Sequence, residues 1–248
     1  MGFLILLYGV AIYGFFFATF LYLIAFIGGD MLAFLGMPKT LDAGVPPEFY
    51  TGSVAKNIGL MLLFAVPHTV MARQSFKNII TKIMPWSMER SFYVLITSII
   101  LVALYVYWQP MPAVIWSIES GLWANVMMVG FFAGFGIVLL STFLINHFDL
   151  FGLRQVWYRF KGEEMPSLEF GIPFLYKYVR HPLYLGWLLA FWCIPVMTAG
   201  HLLFASIMSI YIFIAVGYEE RDLMARFGDQ YRDYMDKVPS ILPFGGRK

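Results

Sequence analysis

Long apolar stretches dominate the chain and alternate with short charged segments. No Asp, Glu, Lys or Arg occurs in 3–29, 57–72, 91–118, 120–148 or 181–218. A membrane-spanning helix needs roughly 20 consecutive apolar residues, so these stretches have the length of membrane crossings. The pattern therefore predicts an all-α fold, a polytopic integral membrane helical bundle.

The last apolar stretch, 181–218, is too long for one crossing. As a single helix it would extend about 57 Å, nearly twice the hydrocarbon thickness of a bilayer. It contains Pro195 and the sequence TAGH at 198–201, so we predict two helices joined by a tight turn near Gly200. The bundle then has about five to six transmembrane helices, with the last two forming a hairpin. One domain over 1–248 is expected, without a Rossmann fold.

Two smaller patterns complete the expected architecture. The charged tail predicts a helix from about Glu219 to Phe227, a break at Gly228 and an end at Pro239. The glycine-rich sequence GFFAGFG at 130–136 lies inside an apolar helix, where it favours close packing against a neighbouring helix.

Composition and charge exclude several classes of protein. Hydrophobic residues make up 60% of the 248 and charged residues only 13%, against about 25% in soluble domains. The single cysteine, Cys193, excludes a disulfide scaffold, and the four histidines lack metal-ligand spacing, so no metal is expected. Almost all of the 17 Lys and Arg residues lie in 73–90, 154–180 and 221–248. The positive-inside rule places those segments and both termini in the cytoplasm.

Polar side chains at the ends of apolar stretches are the candidates for chemistry, because they are costly inside a membrane. His68 ends the second stretch, and His147, Asp149 and Arg154 cluster where the fourth stretch ends. A histidine and a carboxylate this close can act as a base and the group that orients it. The same cluster can equally be ordinary capping and snorkelling.

The last apolar stretch begins inside the sequence YKYVRHPLYLGW, residues 176–187. Pro182 suits the first turn of a helix, whose N–H groups lack partners within the helix and can receive an anion. Gly186 permits close approach to that helix. The alternative is a snorkelling arginine before a helix that starts at proline.

Two acidic residues, Glu219 and Glu220, follow the same stretch in an otherwise basic segment. They either pair with Arg180 or Arg154, or accept hydrogen bonds from the hydroxyl groups of a ligand. With nearby aromatic side chains they would form an acidic pocket suited to a cation that carries hydroxyls. The aromatic residues concerned are Tyr176, Tyr184, Tyr231 and Tyr234.

Two motifs resemble the C-terminal signature of the isoprenylcysteine carboxyl methyltransferase superfamily: RHPLYLG at 180–186 and EERDLMARFGDQYRDYMDKVP at 219–239. Its membrane enzymes bind S-adenosylmethionine in a cytoplasmic pocket without a Rossmann fold. The resemblance implies a cofactor half at about 147–243, in which Ser240 stands where an arginine is common. That departure disfavours a prenylcysteine substrate. With Arg180 and Tyr231 added, the candidate cofactor site comprises Tyr176, Val179, Arg180, His181, Tyr184, Leu185, Gly186, Glu219, Glu220 and Tyr231.

The remainder of the chain is similar to the bacterial methanethiol S-methyltransferases, in FLYLIAFIGG, MPKTLDAG, PHTVMARQSFK, ERSFYVLITSIIL and INHFDLFGLRQVW. Those enzymes methylate methanethiol to dimethyl sulfide, and also methylate hydrogen sulfide. The resemblance implies a thiol methyltransferase in a bacterial inner membrane. The expected partners are a small thiol and the lipid bilayer, with no nucleic acid and no obligate protein partner.

A thiol substrate must lose its proton before it reacts. Because the thiolate is the nucleophile and a free thiol has a pKa of about 8.5, a simple thiol is mostly protonated at neutral pH. We expect His147 with Asp149 to act as the base, or Arg154 or Arg73 to stabilise the thiolate. The complete set of candidate catalytic residues is His147, Asp149, Arg154, His68, Arg73 and Asp42.

Three alternatives stay open at this point. The same cofactor site could serve a larger, lipid-like thiol or amine, in which case a wide cavity open to lipid is expected. A sterol-type reductase shares a similar C-terminal half but uses a nicotinamide cofactor, whose 2′-phosphate favours a dense cluster of basic side chains. A third alternative is an accessory membrane protein that supports a respiratory complex, whose function should not depend on Glu219 or Glu220.

Overall fold

The computed structural model describes residues 2–43, 50–118, 121–167 and 170–243. Apolar helices dominate this part of the chain, which confirms the predicted fold class. In chain order they are Gly2–Gly28 (α1), Tyr50–Ala72 (α2), Gln74–Ile80 (α3), Trp86–Tyr107 (α4), Leu122–Ile145 (α5), His147–Leu150 (α6), Leu153–Lys161 (α7), Pro182–Trp192 (α8), Ala199–Phe227 (α9) and Asp229–Lys237 (α10). The strands Val114–Ser117 (β1) and Val196–Thr198 (β2) form a two-stranded sheet, and 3₁₀ turns occupy Gly29–Leu35 and Phe174–Lys177.

Five helices of the described residues are long and apolar enough to cross a membrane. They are Gly2–Leu35, Thr51–Ala72, Trp86–Tyr107, Leu122–Ile145 and Ala199–Phe227. The chain is therefore an integral membrane protein. Helix α8 is a sixth apolar helix, but its 11 residues extend only about 16 Å, roughly half of the hydrocarbon thickness.

The turn predicted near Gly200 lies earlier in the chain. Helix α8 ends at Trp192, strand β2 covers Val196–Thr198, and Gly200 is already in the first turn of α9. The physical reason is Pro195, which has no N–H to continue the helix. The backbone around it pairs with β1 instead, and Ile118 N–H donates to the Pro195 carbonyl at 2.9 Å.

The described chain divides into two compact units, and the predicted single domain stays a prediction. The first unit contains Met1–Val114, Asn146–Ser167 and Thr198–His201. In it α1 packs against α4 and α7, and α2 packs against α4. The buried Asn57 side chain of this unit is paired with backbone: it accepts from Gln109 N–H at 2.9 Å and donates to the Gln109 carbonyl at 2.8 Å.

The second unit contains Ile115–Ile145, Leu168–Met197 and Leu202–Lys248. Helices α5 and α8 cross at glycines, which confirms the close packing predicted for 130–136. A Cβ atom on Gly134 would lie 2.6 Å from the Gly186 carbonyl oxygen, and one on Gly186 would lie 2.6 Å from the Gly134 carbonyl oxygen. Only glycine permits this approach, so the space beside Gly186 is taken by α5.

The tail breaks where the sequence predicts. Helix α9 runs without interruption to Phe227, rather than starting anew at Glu219, and α10 begins at Asp229. Between them Gly228 has φ 54° and ψ −125°, a conformation that residues with a Cβ atom disfavour. Helix α10 ends before Pro239, and the chain then returns to the start of α8.

Candidate active site

The C-terminal segment is hydrogen-bonded to the backbone that precedes α8. Arg180 N–H donates to the Pro239 carbonyl at 2.9 Å, and His181 N–H donates to the Ser240 carbonyl at 3.0 Å. His181 is the N-cap residue of α8, and Pro182 occupies the first helical turn as predicted. These bonds bring the two resemblance motifs together within the second unit.

One oxygen of Glu220 accepts from several side chains. Arg180 donates to Glu220 Oε1 from Nε at 3.0 Å and from Nη2 at 2.8 Å, and the Ser240 hydroxyl donates at 3.4 Å. The Nη1 group of Arg180 donates to the carbonyls of Met235 and Val238. The predicted pairing of Arg180 with an acid is therefore confirmed. The Arg180 donors therefore bind protein atoms of the same unit. The second carboxylate oxygen of Glu220, Oε2, has no hydrogen bond among the described residues.

His181 lies between two carboxylates. Its Nε2 atom is 3.0 Å from Glu220 Oε1, and its Nδ1 atom is 3.8 Å from Glu219 Oε2. The His181 side chain is 3% exposed and that of Glu219 is 42% exposed. Glu219 makes fewer described contacts than Glu220, so its carboxylate oxygens can still accept hydrogen bonds from a ligand.

An aromatic cluster borders the acidic pair. The Tyr234 hydroxyl donates to the Tyr176 carbonyl at 2.6 Å, and the Tyr231 and Tyr234 rings are 5.8 Å apart. Tyr231 is 1% exposed, and its hydroxyl has no hydrogen-bond partner among the described residues. Burial, then the charge of Glu220, raises the pKa of Tyr231, while burial, then the charge of Glu219, raises that of Tyr176. A buried hydroxyl without a partner is costly, and the predicted contact of Tyr231 with a ligand stays a prediction.

The other predicted cofactor residues lie on the same segment. Tyr184 has its ring 5.7 Å from that of His181. Val179 is 3% exposed, and Leu185 N–H donates to the His181 carbonyl at 3.1 Å. Gly186 faces α5 as described above, so its packing role is explained and its place beside a ligand stays a prediction.

In the first unit, His147 is the buried member of the predicted catalytic cluster. It is 6% exposed, and the Tyr13 hydroxyl lies 2.7 Å from its Nε2 atom. The imidazole also packs against the rings of Tyr13, Phe148 and Phe151. Burial lowers the pKa of His147, which favours the neutral imidazole that a base requires.

Asp149 has other partners than the predicted one. Its carboxylate is 3.2 Å from Arg154 Nη1, and its backbone carbonyl accepts from Gln155 Nε2 at 3.1 Å. Its N–H donates to the Asn146 side chain at 3.2 Å, which caps α6. Arg154 also donates to the Pro166 carbonyl at 2.7 Å. The alternative of capping and ion pairing thus accounts for the described contacts of Asp149, and its role beside the base stays a prediction.

The remaining candidate catalytic residues occupy separate places in the first unit. His68 is bonded to the Tyr93 hydroxyl at 2.8 Å. Arg73 is the N-cap residue of α3. Asp42 accepts a hydrogen bond from the Thr198 hydroxyl, and burial raises its pKa to about 6.

Tyr13 is the residue that the sequence did not reveal. It lies 134 positions from His147, inside a stretch without any charged residue. Nothing in that stretch distinguishes its hydroxyl from those of neighbouring tyrosines. Only the packing of α1 beside the 146–161 segment shows the contact.

Fold and site together define a polytopic α-helical membrane protein with an acidic, aromatic cluster beside a short helix, and the described residues contain no Rossmann-like sheet. The chain is 48% identical to methanethiol S-methyltransferase 1 of Bradyrhizobium diazoefficiens, over 98% of this chain and 83% of that protein. It is 44% identical to the methanethiol S-methyltransferase of Mycobacterium tuberculosis, over 99% and 98%. The chain belongs to the methanethiol S-methyltransferase family.

A more distant similarity extends beyond bacteria. Nurim of Sus scrofa is 30% identical over 68% of this chain and 68% of that protein. No protein-family model and no solved structure matches the chain. The family predicted from the motifs is thus confirmed by individual relatives.

Proposed function

We propose that this chain transfers a methyl group from S-adenosylmethionine to methanethiol, giving dimethyl sulfide, and to hydrogen sulfide, giving methanethiol. The observation that carries the proposal is the near full-length identity to relatives named for the first of these activities. The acidic and aromatic cluster of the second unit supports it independently, because its chemistry fits the methyl donor.

The fit to S-adenosylmethionine rests on polar atoms that form no hydrogen bond within the described residues and can therefore bond to a ligand. The buried Tyr231 hydroxyl has no described partner, and neither does Glu220 Oε2. Carboxylates accept bonds from ribose hydroxyls, and aromatic faces attract a cation. When bound, the cofactor supplies an electrophilic methyl group on a sulfonium. The residues proposed to hold it are Tyr176, Val179, Arg180, His181, Tyr184, Leu185, Gly186, Glu219, Glu220 and Tyr231.

The thiol requires a base, and we propose that His147 takes its proton. A neutral imidazole is available at physiological pH because burial lowers the pKa of His147. Arg154, held by Asp149, contributes positive charge close to that segment. His68, Arg73 and Asp42 stay in the proposed catalytic set on sequence grounds alone.

We also propose that the protein lies in the bacterial inner membrane with both termini and the active site in the cytoplasm. The basic segments 73–90, 154–180 and 221–248 support this orientation through the positive-inside rule, although Arg247 and Lys248 lie outside the described residues. A reporter that is active only in the cytoplasm, fused to the C-terminus, should be active. An active periplasmic reporter at that position would contradict the orientation.

The activity is tested with purified protein in detergent, S-adenosylmethionine and methanethiol. We expect dimethyl sulfide in the headspace by gas chromatography, and much less from Glu220→Gln. Asp229→Asn is the matched control, because its side chain is 92% exposed in the same unit. Absence of dimethyl sulfide from the unaltered protein would refute the proposal. Binding of labelled NADPH would then favour a reductase, and methylation of longer thiols a lipid-like substrate.

A further inference from the structure

We propose that Tyr13 relays the proton of the thiol substrate to His147. The inference rests on the proposed function, since it requires that His147 be the base. It deepens that proposal by naming a residue of the first membrane helix as the group that meets the thiol. It also gives Asp149 a structural rather than a catalytic task.

The geometry places the Tyr13 hydroxyl on His147 Nε2, which is the basic nitrogen of the tautomer that carries its proton on Nδ1. The Tyr13 hydroxyl is 2.7 Å from His147 Nε2, within the range for proton transfer between two heavy atoms. The two rings meet edge to face at 80°, with centroids 5.7 Å apart. Tyr13 thereby occupies Nε2, so a thiol can deliver its proton to that atom only through the tyrosine hydroxyl.

Exposure favours the same order of groups. His147 is 6% exposed and is enclosed by the rings of Phe148 and Phe151, whereas Tyr13 is only partly buried. A buried imidazole is protected from water but is also hard for a substrate to reach. Tyr13 is less buried than His147 and is bonded to it, so the proposal places the thiol on the tyrosine side of the pair.

Asp149 does not compete for this task. Its carboxylate accepts from Arg154 at 3.2 Å, and its backbone carbonyl accepts from Gln155 at 3.1 Å. These bonds hold the turn between α6 and α7. The described side-chain bonds of Asp149 go to Arg154 and Gln155, whereas the Tyr13 hydroxyl of α1 lies on the imidazole of the proposed base.

The proton transfer balances without another reactant. The S–H bond of the thiol breaks, its electron pair stays on sulfur, and the proton forms an O–H bond with Tyr13. At the same time the original Tyr13 O–H bond breaks, and that proton forms an N–H bond at His147 Nε2. The products are a thiolate and an imidazolium. The thiolate is the nucleophile for methyl transfer, and the imidazolium later returns its proton to water.

The test compares Tyr13→Phe, His147→Gln and the double variant, using the rate of dimethyl sulfide formation against pH. Phenylalanine keeps the ring packing and removes only the hydroxyl. We expect Tyr13→Phe to lose about tenfold or more at neutral pH, since general base catalysis as a whole contributes roughly 10²–10⁴-fold. The double variant should be no slower than His147→Gln, because both groups serve one path. Both losses should shrink as pH rises, since free thiolate increases about tenfold per pH unit below the thiol pKa.

Tyr8→Phe is the matched control, because Tyr8 lies on the same helix and its hydroxyl makes no hydrogen bond among the described residues. Calorimetric titration with S-adenosylmethionine verifies that each variant is folded. The relay is refuted if Tyr13→Phe matches Tyr8→Phe, or if its loss is the same at every pH. Full activity of His147→Gln would refute the base while leaving the methyltransferase assignment intact. Absence of product from the unaltered protein would refute the proposed function itself.

Discussion

Replacing the two adjacent glutamates one at a time separates a structural acid from a ligand-binding acid. In Glu220→Gln the carboxylate that receives Arg180, His181 and Ser240 becomes a neutral amide. The side chains of Glu220 and Arg180 are only 18% and 10% exposed, so little water can replace the lost charge. Charged hydrogen bonds contribute about 1.5–3 kcal/mol each and neutral ones about 0.5–1.5. Since glutamine keeps one oxygen, we expect the protein to lose about 2–4 kcal/mol of stability.

Glu219→Gln should behave differently. Its side chain is 42% exposed and its closest described partner, His181 Nδ1, is 3.8 Å away. Exposed ion pairs of this kind contribute about 0–1 kcal/mol. We therefore expect almost unchanged stability. If Glu219 binds a hydroxyl of the cofactor, however, its loss should weaken cofactor binding about tenfold, which corresponds to about 1.4 kcal/mol.

Two measurements on each variant decide the matter: thermal unfolding without cofactor, and calorimetric titration with S-adenosylmethionine. Both variants should bind the cofactor at least about tenfold more weakly, and only Glu220→Gln should unfold at a lower temperature. Cofactor affinity of Glu219→Gln within twofold of the unaltered protein would refute a ligand-binding role for Glu219. An unchanged unfolding temperature of Glu220→Gln would refute its structural role, because the four described donors to Glu220 would then contribute nothing.

Three further variants test the fold around these sites. Gly186→Ala would put a methyl group 2.6 Å from the Gly134 carbonyl oxygen, so we expect a loss of about 1–3 kcal/mol in thermal unfolding, whereas Gly136→Ala, with open space around it, should be neutral or slightly stabilising. Gly228→Ala should lower both stability and cofactor affinity, because φ 54° strains an alanine and the turn carries the tail back; an unchanged melting temperature would contradict this. Burial raises the pKa of Asp42 from 3.8 to about 6, so the folded state holds its proton more tightly than the unfolded state does; stability should fall by about 3 kcal/mol between about pH 3 and pH 7, and Asp42→Asn should abolish that fall in melts across pH.

The features that could be predicted from the sequence depend either on long stretches without charged residues or on proline and glycine, whose backbone conformations are distinctive. Uncharged stretches became the spanning helices, Pro182 began α8, and Gly228 ended α9. The misplaced turn near Gly200 shows the limit, because a glycine is tolerated inside a helix whereas Pro195 is not.

The partner of a side chain could be predicted from the sequence only for charged residues, because the chain has few residues of opposite charge with which each could pair. Arg180 and Glu220 flank the same apolar hairpin, and an arginine beside an acid has few other ways to be neutralised. The Tyr13–His147 contact had no such signal, since hydroxyls recur along apolar helices and the two residues are 134 positions apart. Likewise, the nearest carboxylate in sequence, Asp149, proved to be bonded to Arg154.

The serine at position 240 can be understood from the backbone rather than from its own side chain. Its carbonyl fixes the N–H of His181, and the carbonyl of Pro239 fixes that of Arg180, so main-chain atoms do the positioning. The carbonyls of Met235 and Val238 then occupy Arg180 Nη1. An additional arginine at 240 would bring a second positive charge to a carboxylate that Arg180 already neutralises. With serine at position 240, Glu219 and Glu220 together keep a net negative charge beside Arg180. That charge would favour binding of the cationic methyl donor proposed above.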